Sequence, residues 1–408
     1  SDSGTSIGTE RSDSGTSIGT ERSDSGTSIG TERSDSGTSI GTAGGESIDC
    51  RFVVWGTGAL HQPSMPELDG LERFTGTVFH SANWDHGHDL TGRRVAVIGT
   101  GASAVQFVPP VAERAESLTL FQRTPPWILP KMDRPISAAE RWVFRAFPVL
   151  QRLYRASIYA RLEGRVLGFR HPALMAGLEQ LAKLHMRRAI ADPELRAALT
   201  PDYTLGCKRV LISNDYYPAL ARENVSVITD GIERVTEQGV VTADGVEHRV
   251  DTIIFGTGFK VADAFAQLAI VGRDGVKLAD AWRDGAEAYL GTTVAGFPNL
   301  FLLVGPNTGL SHSSMVYMIE SQVAYVMDCL HLLDRNGAQV LDTRPRRQAA
   351  YNAELREKLA GGVWQRGGCR SWYLDEHGVN RTLWPDFTFR FRHRTRRADP
   401  ADHELLNA

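Results

Sequence analysis

One short passage constrains this chain more than any other. Arg94-Val95-Ala96-Val97-Ile98 reads as a buried strand and runs straight into Gly99-Thr100-Gly101-Ala102-Ser103-Ala104, where helix-forming residues begin. In a glycine-x-glycine-x-x-alanine turn, the first glycine makes the bend and the second lets the backbone approach a pyrophosphate. The last small residue lets helix and strand pack closely. The helix then offers its N-terminal N–H groups to the phosphates. The next strand, Leu118-Thr119-Leu120-Phe121, ends at Gln122-Arg123. An acid at that point would hold a ribose 2′-hydroxyl, whereas an arginine accommodates a 2′-phosphate, which a guanidinium matches in two-pronged fashion. The pattern predicts NADPH as a cofactor, held at Gly99, Thr100, Gly101, Ala102, Ser103, Ala104 and Arg123.

Strand, glycine turn, helix, strand opens a doubly wound, Rossmann-like α/β sheet. A second apolar run, Phe52-Val53-Val54-Trp55, enters Gly56-Thr57-Gly58, and a third, Thr252-Ile253-Ile254-Phe255, enters Gly256-Thr257-Gly258. Between them residues 137–200 are rich in Ala, Leu, Arg and Glu at helical spacing and read as a helical insertion. Seven arginines from Arg141 to Arg170, beside Trp142, Phe147 and Leu153, read as its solvated basic face. A peripheral membrane contact is the weaker reading. His86 and His88 read as a solvated loop, with no metal. Arg390 to Arg397 read as a solvated tail.

The remaining features set limits. At 408 residues and a formal charge of −3 the chain is neither polycationic nor disordered overall, which argues against nucleic acid as a partner. No apolar run reaches the roughly 18 residues of a membrane span. Cys50, Cys207, Cys329 and Cys369 show no zinc or CxxC spacing and read as reduced thiols of a cytoplasmic protein. Residues 1–33 repeat one 11-residue unit three times, and a fourth copy breaks off after Thr42. With one isoleucine per unit, residues 1–45 cannot build a core and read as a disordered tail.

Upstream of the glycine turn stands Phe74-x-Gly76-x-x-x-His80-x-x-x-Trp84-Asp85. As a set these residues resemble the fingerprint of Baeyer–Villiger monooxygenases, within the class B flavin-containing monooxygenases. The resemblance runs from about residue 46 to 390. It implies FAD beside NADPH, and insertion of one oxygen of O2 into a ketone through a C4a-peroxyflavin. It assigns His80 and Trp84 to coupling domain movement with cofactor handling, and Thr124 and Lys208 to the 2′-phosphate. Arg209, in Gly206-Cys207-Lys208-Arg209, becomes the catalytic cation over the flavin. Gly256, Thr257 and Gly258 match the return to the FAD domain, Asn307 a segment near the isoalloxazine, and Trp372 a contact to the NADP ribose.

The domains expected are the tail (1–45), an FAD-domain remnant with the fingerprint linker (46–90), the NADPH domain (91–130 and 207–255), the insertion (131–206) and the C-terminal part of the FAD domain (256–408). The family's first FAD-binding βαβ unit is expected to be missing. Such a unit takes about 30 residues, and Glu46 to Arg73 already hold a strand and a linker. Two alternatives follow: an N- or S-oxygenating flavin monooxygenase using other soft nucleophiles, and a non-catalytic NADPH-binding remnant.

Overall fold

The computed structural model describes residues 38–41, 47–261 and 270–407. Most of the repeat tail therefore lies outside the described residues. Its last copy does not belong to an unstructured tail throughout, since β1 (Thr38–Gly41) pairs antiparallel with β2 (Ser47–Cys50). The reason is local: an extended partner follows within a few residues, and backbone pairing does not require an apolar repeat. β3 (Val53–Trp55) is the strand expected there. It pairs in parallel with β14 (Leu300–Leu302), but only Val53 is buried, and Val54 faces outward.

The centre of the molecule is a five-stranded, wholly parallel sheet. Its strands are β4 (Thr77–His80), β5 (Arg94–Ile98), β6 (Ser117–Phe121), β9 (Val225–Ile228) and β13 (Thr252–Phe255), in the order β4-β13-β5-β6-β9. Val95, Ala96 and Val97 are fully buried, as a strand covered on both faces requires. Asp251 fixes the register at one end. It accepts the Arg94 backbone N–H at 2.9 Å and the guanidinium at 2.6 and 3.1 Å.

The two faces are covered differently. α1 (Ala102–Arg114) and α6 (Tyr216–Leu220) cover one, burying Val105, Val108 and Val111 against Leu118 and Leu120. The other face carries an antiparallel meander of β10 (Ile232–Val235), β11 (Gly239–Thr242) and β12 (Glu247–Arg249). There Val235 and Val240 pack on Ala96, Ile98 and Phe255. The α/β class with a parallel sheet holds, but the doubly wound expectation is corrected, because strands rather than helices shield this face. The fingerprint is also not a linker outside the sheet, since β4 is one of its edge strands.

The insertion leaves the body between β7 (Ile128–Leu129) and β8 (Leu211–Ile212), which pair in parallel. Its helices are α2 (Ala138–Ala146), α3 (Pro148–Arg170), α4 (Ala176–Ala189) and α5 (Pro193–Ala198). Every residue from Arg145 to Ile158 is exposed. The arginines are solvated as expected, and so are Phe147, Val149, Leu150 and Leu153 beside them.

The C-terminal region holds α7 (Leu278–Ala281), α8 (Met315–Asn336), α9 (Pro345–Ala360), α10 (Val363–Arg366) and α11 (Thr388–Arg394). β15 (Val340–Thr343) and β16 (His403–Leu406) close it as an antiparallel pair. Here the tail reading of Arg390–Arg397 fails. Phe391 and Thr395 are fully buried, while Arg390 and Arg394 pair with Asp386 and Glu354. The arginines mask an amphipathic helix whose apolar face is too short to stand out in sequence. His88 is corrected too: it is no free loop side chain, since its Nε2 lies 2.8 Å from Thr252 Oγ1 and ties the loop to β13.

Candidate functional site

β5 and α1 form the unit predicted from the glycine pattern. Gly99 has φ +110°, a conformation L side chains rarely adopt, and Gly101 is the residue before the first turn of α1. A Cβ on Gly99 would stand 2.5 Å from the Gly256 carbonyl oxygen, and one on Gly256 would stand 3.3 Å from Ala104 Cβ. The Gly256-Thr257-Gly258 turn is thus packed directly on the dinucleotide turn. A Cβ on Gly101 would meet nothing closer than 3.9 Å, so the space before the helix N-terminus is open, with Ala102 exposed and Ser103 half-buried. Thr100 Oγ1 donates to the Thr124 carbonyl at 3.0 Å, joining this turn to the end of β6.

Arg123 is exposed beside that end. Lys208 comes close to it from the end of the insertion, half-buried, with its ammonium 5.0 Å from the Tyr203 ring centre. Burial and the Arg123 charge both hold the Lys208 pKa below its ordinary value, with Asp202 pulling the other way. Among the described residues neither cation makes an ion pair. Two converging cations, neither tied up in an ion pair, suit a phosphate dianion, so the residues present fit NADPH. The described residues hold one strand, glycine turn and helix of this kind. A flavin pyrophosphate finds no second one among them.

Arg209 is exposed and borders a cavity of about 1020 Å3. The walls come from four places: α1 (Ala102, Gln106), the insertion (Leu162, Arg165), the stretch from β8 to α6 (Ser213, Asp215) and the loop before α8 (Ser311, His312). Arg209 also lies near enough to the buried Tyr373 to lower its pKa against the rise caused by burial. Trp372, about half-exposed, packs on Tyr373 with ring centres 4.5 Å apart. Lys208, Arg209 and Trp372 therefore lie around one region, although 162 residues separate the segments that carry them.

The fingerprint divides into structural and site-facing members. Phe74 packs on the meander side of the sheet, and a Cβ on Gly76 would stand 2.4 Å from the Asp251 carbonyl oxygen. Asp85 accepts the Gly87 N–H at 2.9 Å and shapes its own turn. Trp84 packs edge-on against Phe79 and against Phe107 of α1. His80 is buried at the end of β4, beside the Gly256–Gly258 turn. Burial lowers its pKa, with the Gly258 backbone opposing. Asn307 is buried, and its Nδ2 donates to the Asn380 and Leu383 carbonyls at 3.0 and 3.1 Å.

Sequence reasoning missed two features here. Buried Glu163 of α3 accepts the Thr388 N–H at 2.7 Å and lies 3.6 Å from His312 Nε2, joining the insertion to the C-terminal region at the cavity wall. Cys207 and Cys369 are not reduced thiols but a disulfide, with Cα atoms 6.1 Å apart. Nothing in separations of 225 and 162 residues signals either pairing.

A helix N-terminus open to phosphate, two cations beside it and a walled cavity define a dinucleotide-binding α/β protein. Comparison with known proteins gives the particular kind. Residues 45–278 match the flavin-binding monooxygenase-like family. A Baeyer-Villiger monooxygenase of Pseudomonas aeruginosa is 55% identical over 365 residues, covering 89% of this chain and 69% of that protein. The structure of oxidized steroid monooxygenase bound to NADP superposes with a TM-score of 0.80 at 29% identity, covering 91% of this chain and 78% of that one. OTEMO in complex with FAD and NADP gives 0.81 at 26%, covering 93% and 80%. The chain belongs to the flavin-binding monooxygenase-like family and is an enzyme of its Baeyer–Villiger branch. Among its described residues no helix is long and apolar enough to cross a membrane.

Proposed function

We propose that this chain is an FAD- and NADPH-dependent monooxygenase that inserts one oxygen atom of O2 beside the carbonyl of a ketone. The observation that carries the reading is Arg209 at the mouth of the large cavity, one residue from the Lys208–Arg123 pair. Flavin, when bound, supplies the activated oxygen. The chain's own residues hold NADPH by the Gly99–Ala104 turn and its 2′-phosphate by Arg123, Thr124 and Lys208.

Arg209 stays charged at any working pH. It holds the negative charge that develops at the reacting oxygen, an attraction that strengthens where water is excluded. Leu162 and Arg165 of the insertion face the ketone, and Trp372 closes over the NADPH ribose. His80 and Trp84 bridge the sheet edge and α1, so a movement of one reaches the other. In this reading residues 91–130 and 207–255, with β4 at the edge of their sheet, bind NADPH, and β3 and residues 256–408 belong to the FAD side. The reaction is cytoplasmic in the same reading, with NADPH as its reductant.

The test is NADPH oxidation by the FAD-supplemented protein with a cyclic ketone, with lactone identified by mass spectrometry. Lactone from the wild type and none from Arg209→Ala, with NADPH binding retained, is the expected result. A sulfide oxidised without any lactone would assign the N- or S-oxygenating activity instead. Failure to consume NADPH or retain flavin would make the chain an NADPH-binding remnant.

A further inference from the structure

The Cys207–Cys369 disulfide lies at a point where it controls the site. Cys207 directly precedes Lys208 and Arg209, and Cys369 stands three residues before Trp372. The bond is the covalent tie between those two segments. Alongside it, Thr204 N–H donates to the Gly367 carbonyl at 2.9 Å. Residues 368–371 have no regular structure, and Gly368 and Arg370 are exposed.

The two ends of the bond are not equally free to move. Cys207 is fully buried among Trp127, Phe169, Trp364 and Tyr373. Gly206 before it has φ +98°, and a Cβ there would stand 2.8 Å from the Phe169 ring. There is no slack on that side, because a Cβ on Gly367 would also stand 2.9 Å from Cys207 Sγ. Cys369 is half-buried on the loop. Two thiols need van der Waals separation where one bond stood, so breaking the bond moves the Cys369 loop outward, and Trp372 with it.

We infer that Cys207–Cys369 is a dithiol-sensitive positioning bond, through which two-electron reduction loosens the hold on NADPH. This rests on the NADPH reading of Arg123, Lys208 and Trp372. The reductant is a dithiol. Its first thiolate attacks Cys369 Sγ, the more accessible sulfur, and the Sγ–Sγ bond breaks. Cys207 leaves as a thiolate and takes up a proton. The second thiol then displaces Cys369 from the mixed disulfide, so the dithiol is oxidised to a cyclic disulfide and two protein thiols result. Disulfides in a reducing compartment are usually labile and regulatory rather than structural.

The test counts thiols and measures NADPH binding on the full chain. Alkylation of unreduced, denatured protein should label two cysteines, Cys50 and Cys329, and after dithiothreitol all four. Calorimetry should show NADPH binding about five- to tenfold weaker after reduction, a typical coupling between two sites. Cys369→Ser should bind as weakly as the reduced wild type and no longer respond to dithiothreitol. A cooperative thermal transition well above the assay temperature, in both forms, separates loosening from unfolding. Four labelled cysteines before reduction overturn the proposal, and so does equal affinity in both redox states while Arg123→Ala still weakens binding. Affinity that ignores Arg123→Ala overturns the NADPH reading, and the proposal falls with it.

Discussion

Two glycines two residues apart should fail in opposite ways when given a methyl group. Gly99→Ala places an L residue at φ +110°, a backbone penalty of about 1–3 kcal/mol. Its Cβ also lands 2.5 Å from the Gly256 carbonyl oxygen and 2.9 Å from the carbonyl carbon. Both lie in backbone at the centre of the sheet, so β5 and β13 must part. Overpacking of this kind adds about 1–3 kcal/mol. The total, about 2–6 kcal/mol, is a large share of the 5–15 kcal/mol that holds a typical domain together. Gly101→Ala meets nothing closer than 3.9 Å and keeps φ at −74°. It gives up only a modest preference at the helix start, about 1 kcal/mol. Its methyl group, however, stands in the open space before α1, where a phosphate must approach. Losing one charge-assisted hydrogen bond there, about 1.5 kcal/mol, weakens NADPH roughly tenfold. Urea denaturation and calorimetric titration of both variants measure the two effects separately. Equal destabilisation by both would refute the Gly256 contact as the reason for Gly99. Wild-type NADPH affinity in Gly101→Ala would refute the turn as a phosphate cradle.

Arg123→Ala should lower NADPH affinity about 10–100-fold, the loss of a charged phosphate contact, while NADH affinity stays constant; steady-state kinetics with both cofactors reads the ratio. Asn307→Ala strips the donor from two buried carbonyls and keeps φ at +55°, so unfolding should be easier by about 3–5 kcal/mol, with Asn307→Gly recovering the backbone part. His403 is fully buried against Tyr325, and burial brings its pKa down to about 4 from 6.5, against the pull of Asp402 and Asp399. The unfolded chain then takes up a proton that the folded chain refuses. Stability is therefore full above pH 6.5 and falls by about 3 kcal/mol as pH drops through 4. His403→Gln should flatten urea midpoints across that window.

How much of this was readable in the sequence depended on how local the cause was. The turn from Gly99 to Ala104 is determined by neighbours in the chain and reads correctly down to the open N-terminus at Gly101. Arg123 is legible as a cation at the edge of that turn because it ends the very next strand, where it stands exposed. The failures are all long-range. The meander over the sheet is built from short runs such as Gly239-Val240-Val241-Thr242, whose pattern does not say which face they cover. Phe391 and Thr395 sit in an arginine-rich stretch, and only packing against α8 shows which side of that helix is dry. The structural part of Asn307, its Nδ2 holding the Asn380 and Leu383 carbonyls, is likewise invisible until those segments are placed beside it. The disulfide was misread for the same reason: spacing rules see neighbours, and Cys369 becomes a neighbour only once the chain has folded.

The strand order has a consequence for how the protein is made. β13 sits between β4 and β5, and Thr252 pairs with Val95, so the seat for β13 stays vacant while 157 further residues are synthesised. At roughly 5–20 residues per second that is about 8–30 s on the ribosome. Throughout that time two apolar strand edges stand open in the middle of the nascent sheet, and the insertion helices with their uncovered phenylalanine and leucines emerge beside them. Slowing the ribosome between residues 100 and 250 lengthens that exposure, and a chaperone that holds nascent apolar chain covers the open edges meanwhile.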